Sequence, residues 1–494
     1  MNWLRRWCAS ALVLGLALTG HFARGQAPRT IAKSAEPSSD QKWQVDRTAT
    51  LSPRAESKPA LAYRLFPVFT DRKDGNAVPI YLRLNFEQND AARRDWTEIP
   101  KKWLAMPIEE MPLAEAKAFL QKYKNFFRQF ELGARRKTAD WNYTLDQGNV
   151  IEMLLPDMQS MRGYVPMMVL KARVELAEGN FAAAAHWLET GFAFSQHVGN
   201  GPFIINRLVG IASANQFADC LLDFVAQPEA PNLYWPLTAL PRPLIDLRDS
   251  MELEQQVMEM QFSDLAEIER QRSPEQWDAT LKNVRKEVQL LTATETQSGD
   301  NRFKTIAGAS PDDQASKSPD LARARKYLLE NRKLPAAKVA AMPAAQVLLL
   351  YMVDSYHEFR DDAFKAGYLP YPDARRVFAE AEARRIAAPP TEARRLPDAL
   401  LPAIDKVQAT ETRLERKIAA LRVIEALRLH AAAHDGRLPD KLSDVALVPV
   451  PDDPATGKPF GYQRDGDIAT VTSRIPGEKP EETGLRYRVV MKTK

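Results

Sequence analysis

The sequence has very little cysteine, with only Cys8 and Cys220 among 494 residues. Cys8 lies in an N-terminal segment that we expect to be removed. Cys220 follows Phe217 on a predicted apolar helix and precedes two leucines. One remaining thiol excludes an intramolecular disulfide, so Cys220 is predicted to be an ordinary core residue.

The common local signatures of catalysis are also missing. The sequence contains no phosphate-binding Gly-rich loop with its Lys-Ser/Thr, no Gly-x-Ser-x-Gly elbow and no His-Glu-x-x-His motif. These absences remove the enzyme classes that carry such motifs. A site dispersed along the chain leaves no motif, so enzymatic activity stays open, and no cofactor is predicted.

The sequence lacks a strong net charge, and the expected removal of its N-terminal segment lowers that charge further. Arg5 and Arg6 precede an apolar run over residues 9–19, and a small-x-small site ends at Gly25. This pattern predicts a signal peptide over residues 1–25 and an exported, periplasmic or envelope-associated protein. Its removal deletes three arginines and no acid, which lowers the formal charge from +4 to +1. We therefore expect no nucleic-acid partner, and membrane attachment only through an uncleaved signal segment.

The length of 494 residues exceeds the roughly 250 to 300 at which one hydrophobic core stops growing. Residues 26–58 have the composition of a disordered leader. Residues 59–395 are predicted to form a helical body, with a possible mobile linker at 294–318 and a second, Ala-Pro-Pro-rich break at 387–397. Residues 396–494 are predicted to form a separate module.

The body is predicted to be mostly α and solenoid-like, organised around residues 156–248. One helical hairpin there has apolar and small residues at tetratricopeptide offsets. These are Met168, Ala172, Leu176, Gly179, Phe181, Ala184, Leu188 and Gly191. Helical periodicity also predicts single helices over 112–132 and 244–272.

The C-terminal module changes from helix to strand. Its long helix is predicted over 400–434, followed by a hairpin around Asp465-Gly466 and a third strand near Leu485. A sheet of three antiparallel strands is too small to be stable alone, so it is predicted to dock on the long helix. Phe460, Tyr462, Ala469 and Val471 are expected to share one face of the hairpin.

Two resemblances accompany these patterns. Residues 426–442 and 451–462 resemble the soluble part of the major pseudopilins of type II secretion, in which a long helix feeds a three-stranded sheet. That resemblance implies the shape of the module and not filament formation, because the helix here is internal and charged. Residues 75–81, 154–162 and 232–235 resemble an uncharacterised group of exported bacterial helical proteins, which implies one architecture and no activity.

The proline-bracketed segment 231–243 supplies the candidate ligand contacts. Tyr234, Trp235 and Arg242 place aromatic faces beside a guanidinium, a combination that can stack a sugar or hold an extended peptide. The alternative is that Tyr234 and Trp235 only wedge the loop against neighbouring helices.

No metal site is predicted. His430 and His434 share a helix face at a spacing that can hold a transition metal, but paired histidines also favour an exposed helix end. The acids around the C-terminal loops lack the spacing of an EF-hand and are explained by turn chemistry. These acids are Asp452, Asp453, Asp465 and Asp467.

Three functions remain open. The leading hypothesis is a non-enzymatic interaction or scaffold protein of the bacterial envelope, because stacked helical hairpins create surfaces that accept peptides or protein segments. Its protein or peptide partner is unidentified. The alternatives are an exported hydrolase acting on glycan or peptide in a helical groove, and a component of a secretion apparatus.

Overall fold

A computed structural model describes residues 42–86, 90–143, 156–296, 313–401 and 403–492. These residues form a mostly helical protein with a small mixed sheet. The helices are α1 (Val78–Phe86), α2 (Asp90–Leu104), α3 (Leu113–Lys122), α4 (Lys124–Ala134), α5 (Pro156–Ala177), α6 (Phe181–Gly199), α7 (Ile204–Val225), α8 (Tyr234–Thr238), α9 (Arg248–Glu254), α10 (Val257–Gln261), α11 (Ser263–Ala266), α12 (Pro274–Thr296), α13 (Leu321–Glu330), α14 (Ala336–Ala341), α15 (Ala344–Gly367), α16 (Tyr371–Ala387), α17 (Arg395–Leu400), α18 (Ile404–Ala433) and α19 (Pro480–Thr483). The strands are β1 (Val45–Leu51), β2 (Lys73–Asn76), β3 (Arg136–Thr138), β4 (Asp452–Asp453), β5 (Lys458–Pro459), β6 (Gly461–Asp465), β7 (Ile468–Ser473) and β8 (Leu485–Met491).

The predicted helical hairpin corresponds to α5 and α6, which pack against each other and against α7. Gly179, with φ of +72°, makes the break between the first two helices. Gly191 allows the close approach of α6 to α7, because a Cβ there would lie 2.3 Å from the ring of Phe217. Small residues therefore set the spacing of these helices.

The long helix α18 lies at the centre of the protein. It packs against α7, α8, α15 and α16, and it also contacts β4 and β8. Most of its side chains are buried along its whole length, including several charged ones. The apolar residues of the N-terminal helices, α18 and the sheet belong to one cluster. The boundary expected at residue 395 thus does not separate two hydrophobic cores.

Charged side chains inside this core form closed networks. Glu425 and Arg428, both 0% exposed, pair at 3.0 Å. Arg428 also donates to the carbonyls of Ser52 (3.0 Å) and Ala230 (2.8 Å), and the amide of Asn232 donates to Glu425. One buried pair therefore ties α18 to the N-terminal segment and to the loop before α8.

The C-terminal sheet has four strands in the order β1-β8-β7-β6, instead of the three expected. The β6–β7 hairpin and β8 are antiparallel, as predicted, and β1 pairs parallel to β8 from Val45↔Leu485 to Leu51↔Met491. The prediction of a disordered leader was wrong for these residues. Alternate residues of β1, ending in Ala49 and Leu51, point into the core, a seven-residue pattern that the composition of the whole leader hides.

The second, smaller apolar cluster lies between residues 258 and 396 and includes Trp277 of α12 and Tyr356 of α15. The segment expected as a linker at 387–397 is part of it, because Glu392 is 4% exposed at its side chain and pairs with buried Arg285. Ser318 also donates to Glu392 at 3.2 Å. A buried ion pair fixes this segment, so the Ala-Pro-Pro-rich break is packed in the core and is not a linker.

Two predicted helices are divided in the structure. The helix expected over 112–132 breaks at Tyr123 between α3 and α4, and that expected over 244–272 becomes α9, α10 and α11. Residues 1–41 and 297–312 lie outside the described residues, and with them the predicted signal peptide, the first part of the leader and most of the 294–318 linker. Within the described residues, Ile204–Val225 is long and apolar enough to cross a membrane, but 67% of that stretch is buried inside the protein, as expected of a core helix.

Candidate functional site

The segment predicted to contact a ligand is held against α18 by its own turn chemistry. The side-chain oxygen of Asn232 accepts a hydrogen bond from the backbone N–H of Tyr234 at 3.0 Å, which starts the short helix α8. Arg242 donates to the carbonyl of Thr238 at 2.8 Å and so closes the far end of the segment. The segment is therefore a rigid support.

Tyr234 is 1% exposed and is a core residue. Its hydroxyl donates to the carbonyl of Pro449, and the guanidinium of Arg422 lies 5.4 Å from the centroid of its ring. The side chain thus links α8, α18 and the loop before β4. It has no exposed face on which a ligand could stack.

Trp235 and Arg242 lie nearer the surface. The Trp235 ring is half-buried and meets Tyr234 edge-on, with centroids 5.2 Å apart, while its N–H donates to the carboxylate of Glu56. Arg242 is exposed. Of the three predicted contact residues, Arg242 alone combines exposure with a place on a cleft wall.

That cleft has a volume of about 330 Å³ and lies between α18 and the proline-rich loop before and after β4. We call it the Arg422 cleft. It is lined by Arg242, Glu415, Ile418, Ala419, Arg422, Pro449, Pro451, Asp452 and Pro454. Two guanidiniums, two carboxylates and a wall of prolines therefore surround a small apolar floor.

Charges in the cleft are close enough to perturb one another. Burial lowers the pKa of Arg242, and the positive charge of Arg422 lowers it further. Burial raises the pKa of Glu415. The backbone N–H of Leu244 donates a hydrogen bond to the Glu415 carboxylate at 3.0 Å, which partly opposes that rise. The site therefore holds two cations together with a carboxyl that is poorly solvated.

Glu411 lies one turn before Glu415 on α18. Its pKa is raised to about 8, first by burial and then by the charges of Glu415 and Asp246. A spacing of four residues puts both carboxyls on the same face of the helix. Such a pair can keep a proton at neutral pH, which is the state required of a general acid.

Arg422, Glu411 and Glu415 were not singled out from the sequence as site residues. Arg422 donates to Thr238 at 3.0 Å across 184 residues, a contact that local spacing cannot predict. One signal was available, because residues 415, 419 and 422 fall on one helical face and two of the three are charged.

The two histidines considered as metal ligands, His430 and His434, stack on each other. His430 is 7% exposed, so the late turn expected to be exposed is buried at this residue. Its ring stacks on that of His434 with centroids 3.9 Å apart, and Nδ1 of His434 is 2.7 Å from the carbonyl of His430. Over the described ranges, no group of three or more His, Cys, Asp or Glu side chains is arranged to hold a metal ion.

The four aspartates considered for calcium are placed in different settings. Asp452 lines the Arg422 cleft, whereas Asp453 is buried and pairs with Arg416 at 3.4 Å. Asp465 and Asp467 flank the turn between β6 and β7 and are exposed. Asp453 is thus a core residue, Asp465 and Asp467 are turn residues, and Asp452 belongs to the cleft.

The protein is mostly helical, with a central helix that carries buried charges and a small mixed sheet. Comparison of the chain with protein-family models, with curated proteins and with solved structures gave no significant match.

Proposed function

We infer that this protein is a non-enzymatic interaction or scaffold protein of the bacterial envelope, and that the Arg422 cleft binds an extended peptide segment carrying a carboxylate. The observation that supports this is the convergence of Arg242 and Arg422 on one cleft. Guanidinium groups present several donors in a fixed plane and hold carboxylates by paired hydrogen bonds. The exported location and the solenoid-like, tetratricopeptide-like character of the body are parts of the same proposal.

The walls of the cleft suit a peptide better than a compact solute. Pro449, Pro451 and Pro454 form a stiff apolar side, on which an extended chain can lie without ordering a flexible loop. Asp452 is exposed on this side and can pair with a basic residue of the same peptide. We therefore expect a preference for segments that contain both an acid and a base.

Peptide arrays and fluorescence anisotropy test this proposal. Replacing Arg242 with alanine removes one charge-assisted contact and should weaken binding of a selected acidic peptide about 10- to 100-fold. Arg437→Ala is the matched control, because Arg437 is exposed and does not line the cleft. Equal affinity of both variants, or no peptide bound by the unmodified protein, would reject the proposed site.

Capture from envelope extract extends the test to natural partners. The unmodified protein and the Arg437→Ala variant should retain the same proteins, and Arg242→Ala should lose them. Secretion proteins among those retained would favour the proposal that the chain is part of a secretion apparatus.

A second candidate function, an exported hydrolase acting on glycan or peptide, is favoured by Glu411 and Glu415. A carboxyl with a pKa near 8 beside a second one that lines the cleft is suited to acid and base roles. Turnover of glycan or peptide substrates that falls at least about 100-fold in both Glu411→Gln and Glu415→Gln would support the hydrolase. Undiminished binding without turnover supports the interaction protein.

A further inference from the structure

A second pocket, separate from the Arg422 cleft, lies where the β4–β5 hairpin meets the first turn of α16. Its volume is about 370 Å³, and its walls also include the start of β6 and the end of β7 with the loop that follows. Three cationic side chains line it, those of Arg375, Lys458 and Arg474. We call it the basic pocket.

The one acidic residue among the described residues that line the pocket is already neutralised. Asp453 is 2% exposed, pairs with Arg416 at 3.4 Å, and accepts hydrogen bonds from the hydroxyl of Ser473 at 2.5 Å and the backbone of Ala455 at 3.0 Å. Because Arg416 offsets its charge, Asp453 does not cancel the three cations of the walls. Glu478, which pairs with Arg375 at 2.8 Å, offsets one of these three cations, so the excess positive charge of the lining is smaller than three.

The three cations differ in how they are held. Arg375 pairs with Glu478 at 2.8 Å, and the guanidinium of Arg474 lies 4.6 Å from the ring centroid of Trp43. Lys458 is exposed on the wall of the pocket. Two anchored guanidiniums and one exposed ammonium can together hold an anion.

Hydroxyl donors complete the lining. Thr456 and Thr472 both line the pocket, and Thr472 lies directly across the hairpin from Gly461. A Cβ on Gly461 would come within 2.4 Å of the Thr472 hydroxyl, so the missing side chain leaves that hydroxyl uncovered.

We propose that the basic pocket binds a phosphate group, either as free phosphate or as a phosphomonoester. A phosphate presents three or more acceptor oxygens and up to two negative charges, which match several cations with neutral hydroxyl donors better than a single carboxylate does. The volume leaves room for a substituent beyond the phosphate itself. The proposal is independent of what the Arg422 cleft binds.

Titration calorimetry with inorganic phosphate tests this on the full chain, at constant ionic strength adjusted with chloride. Lys458→Gln should weaken phosphate binding about tenfold, because one charge-assisted contact is lost. Lys479→Gln, at an exposed lysine that does not line the pocket, should bind as the unmodified protein does. Thr472→Val keeps the shape of the strand residue, removes only the hydroxyl, and should weaken binding about threefold to tenfold.

Two further arms identify the source of the phosphate. Methyl phosphate tests a soluble ester, and sedimentation with vesicles of phosphatidic acid and phosphatidylcholine tests a lipid headgroup. Binding in either arm that depends on Lys458 and is displaced by inorganic phosphate supports the proposal. The absence of saturable phosphate binding, or equal affinity of Lys458→Gln and Lys479→Gln, would overturn it.

Discussion

Removing one partner of the Glu425–Arg428 pair should destabilise the protein more than any exposed ion pair does. Both side chains are fully buried, and their atoms approach to 3.0 Å. In Arg428→Met, the Glu425 carboxylate loses its cation, while the carbonyls of Ser52 and Ala230 lose their donor. In Glu425→Met, a guanidinium stays buried without a counter-charge.

The size of the effect follows from the burial of a charge without its partner. Each single substitution should cost about 3 to 5 kcal/mol, a large share of the roughly 5 to 15 kcal/mol that stabilises a typical domain. The double substitution leaves no uncompensated charge, so it should cost less than either single substitution and far less than their sum. Arg376→Met breaks an exposed pair with Glu380 and should cost less than about 0.5 kcal/mol.

Urea unfolding followed by tryptophan fluorescence measures these differences, and hydrogen exchange on α18 shows where stability is lost. Arg428→Met should also speed proteolysis after β1, because the guanidinium of Arg428 donates to the carbonyl of Ser52 at 3.0 Å and the variant loses that contact. Single substitutions that cost less than about 1 kcal/mol, or a double substitution that costs their full sum, would refute the account of a coupled buried pair.

Three further perturbations test the packing and its pH dependence. Phe460→Ala, at a side chain 4% exposed, should lower the free energy of unfolding by about 3 to 5 kcal/mol, and a harmless substitution would contradict its burial. Gly191→Ala should destabilise by about 1 to 3 kcal/mol in the same assay because the new Cβ meets the ring of Phe217, whereas a stabilised variant would show that α6 and α7 can separate. Burial lowers the pKa of His197 from 6.5 to about 4, so between these pH values the unfolded chain binds a proton that the folded protein does not. The free energy of unfolding should therefore fall by about 3 kcal/mol as the pH drops from 6.5 to 4. That acid loss should diminish in His197→Gln and persist in His186→Gln; equal acid profiles would contradict it.

Elements with clear local punctuation could be predicted from the sequence. Helical periodicity over 400–434 placed α18 within a few residues of its observed bounds, and the Asp465-Gly466 turn placed the β6–β7 hairpin. The helix expected over 244–272 could not be resolved into its parts, because nothing local marks the breaks. Met251 packs in the larger apolar cluster and Phe262 in the smaller one. One straight helix cannot place both side chains in their clusters, so the segment is divided although its sequence is helical throughout.

The candidate site was only partly visible for a similar reason. Prolines around Tyr234 and Arg242 signalled a rigid segment, but α18 supplies the second guanidinium of the cleft from far along the chain. The many charged residues of α18 also predict an exposed helix, although the helix is buried. Charges such as Arg416 and Lys417 resemble a solvated face, whereas in the structure both side chains are buried. Arg416 pairs with buried Asp453, and Lys417 pairs with Asp219, which is exposed.

The parallel pairing of β1 with β8 brings together the first and last strands of the described residues. Asp46 and Arg486 meet across 440 residues of sequence, so β1 has no strand to pair with until nearly the whole chain has been made. Such distant pairing is slow, and during that interval the unpaired β1 is exposed to association with other chains. We therefore expect a dependence on chaperones that hold the N-terminal strand, and rapid degradation of chains that end before β8.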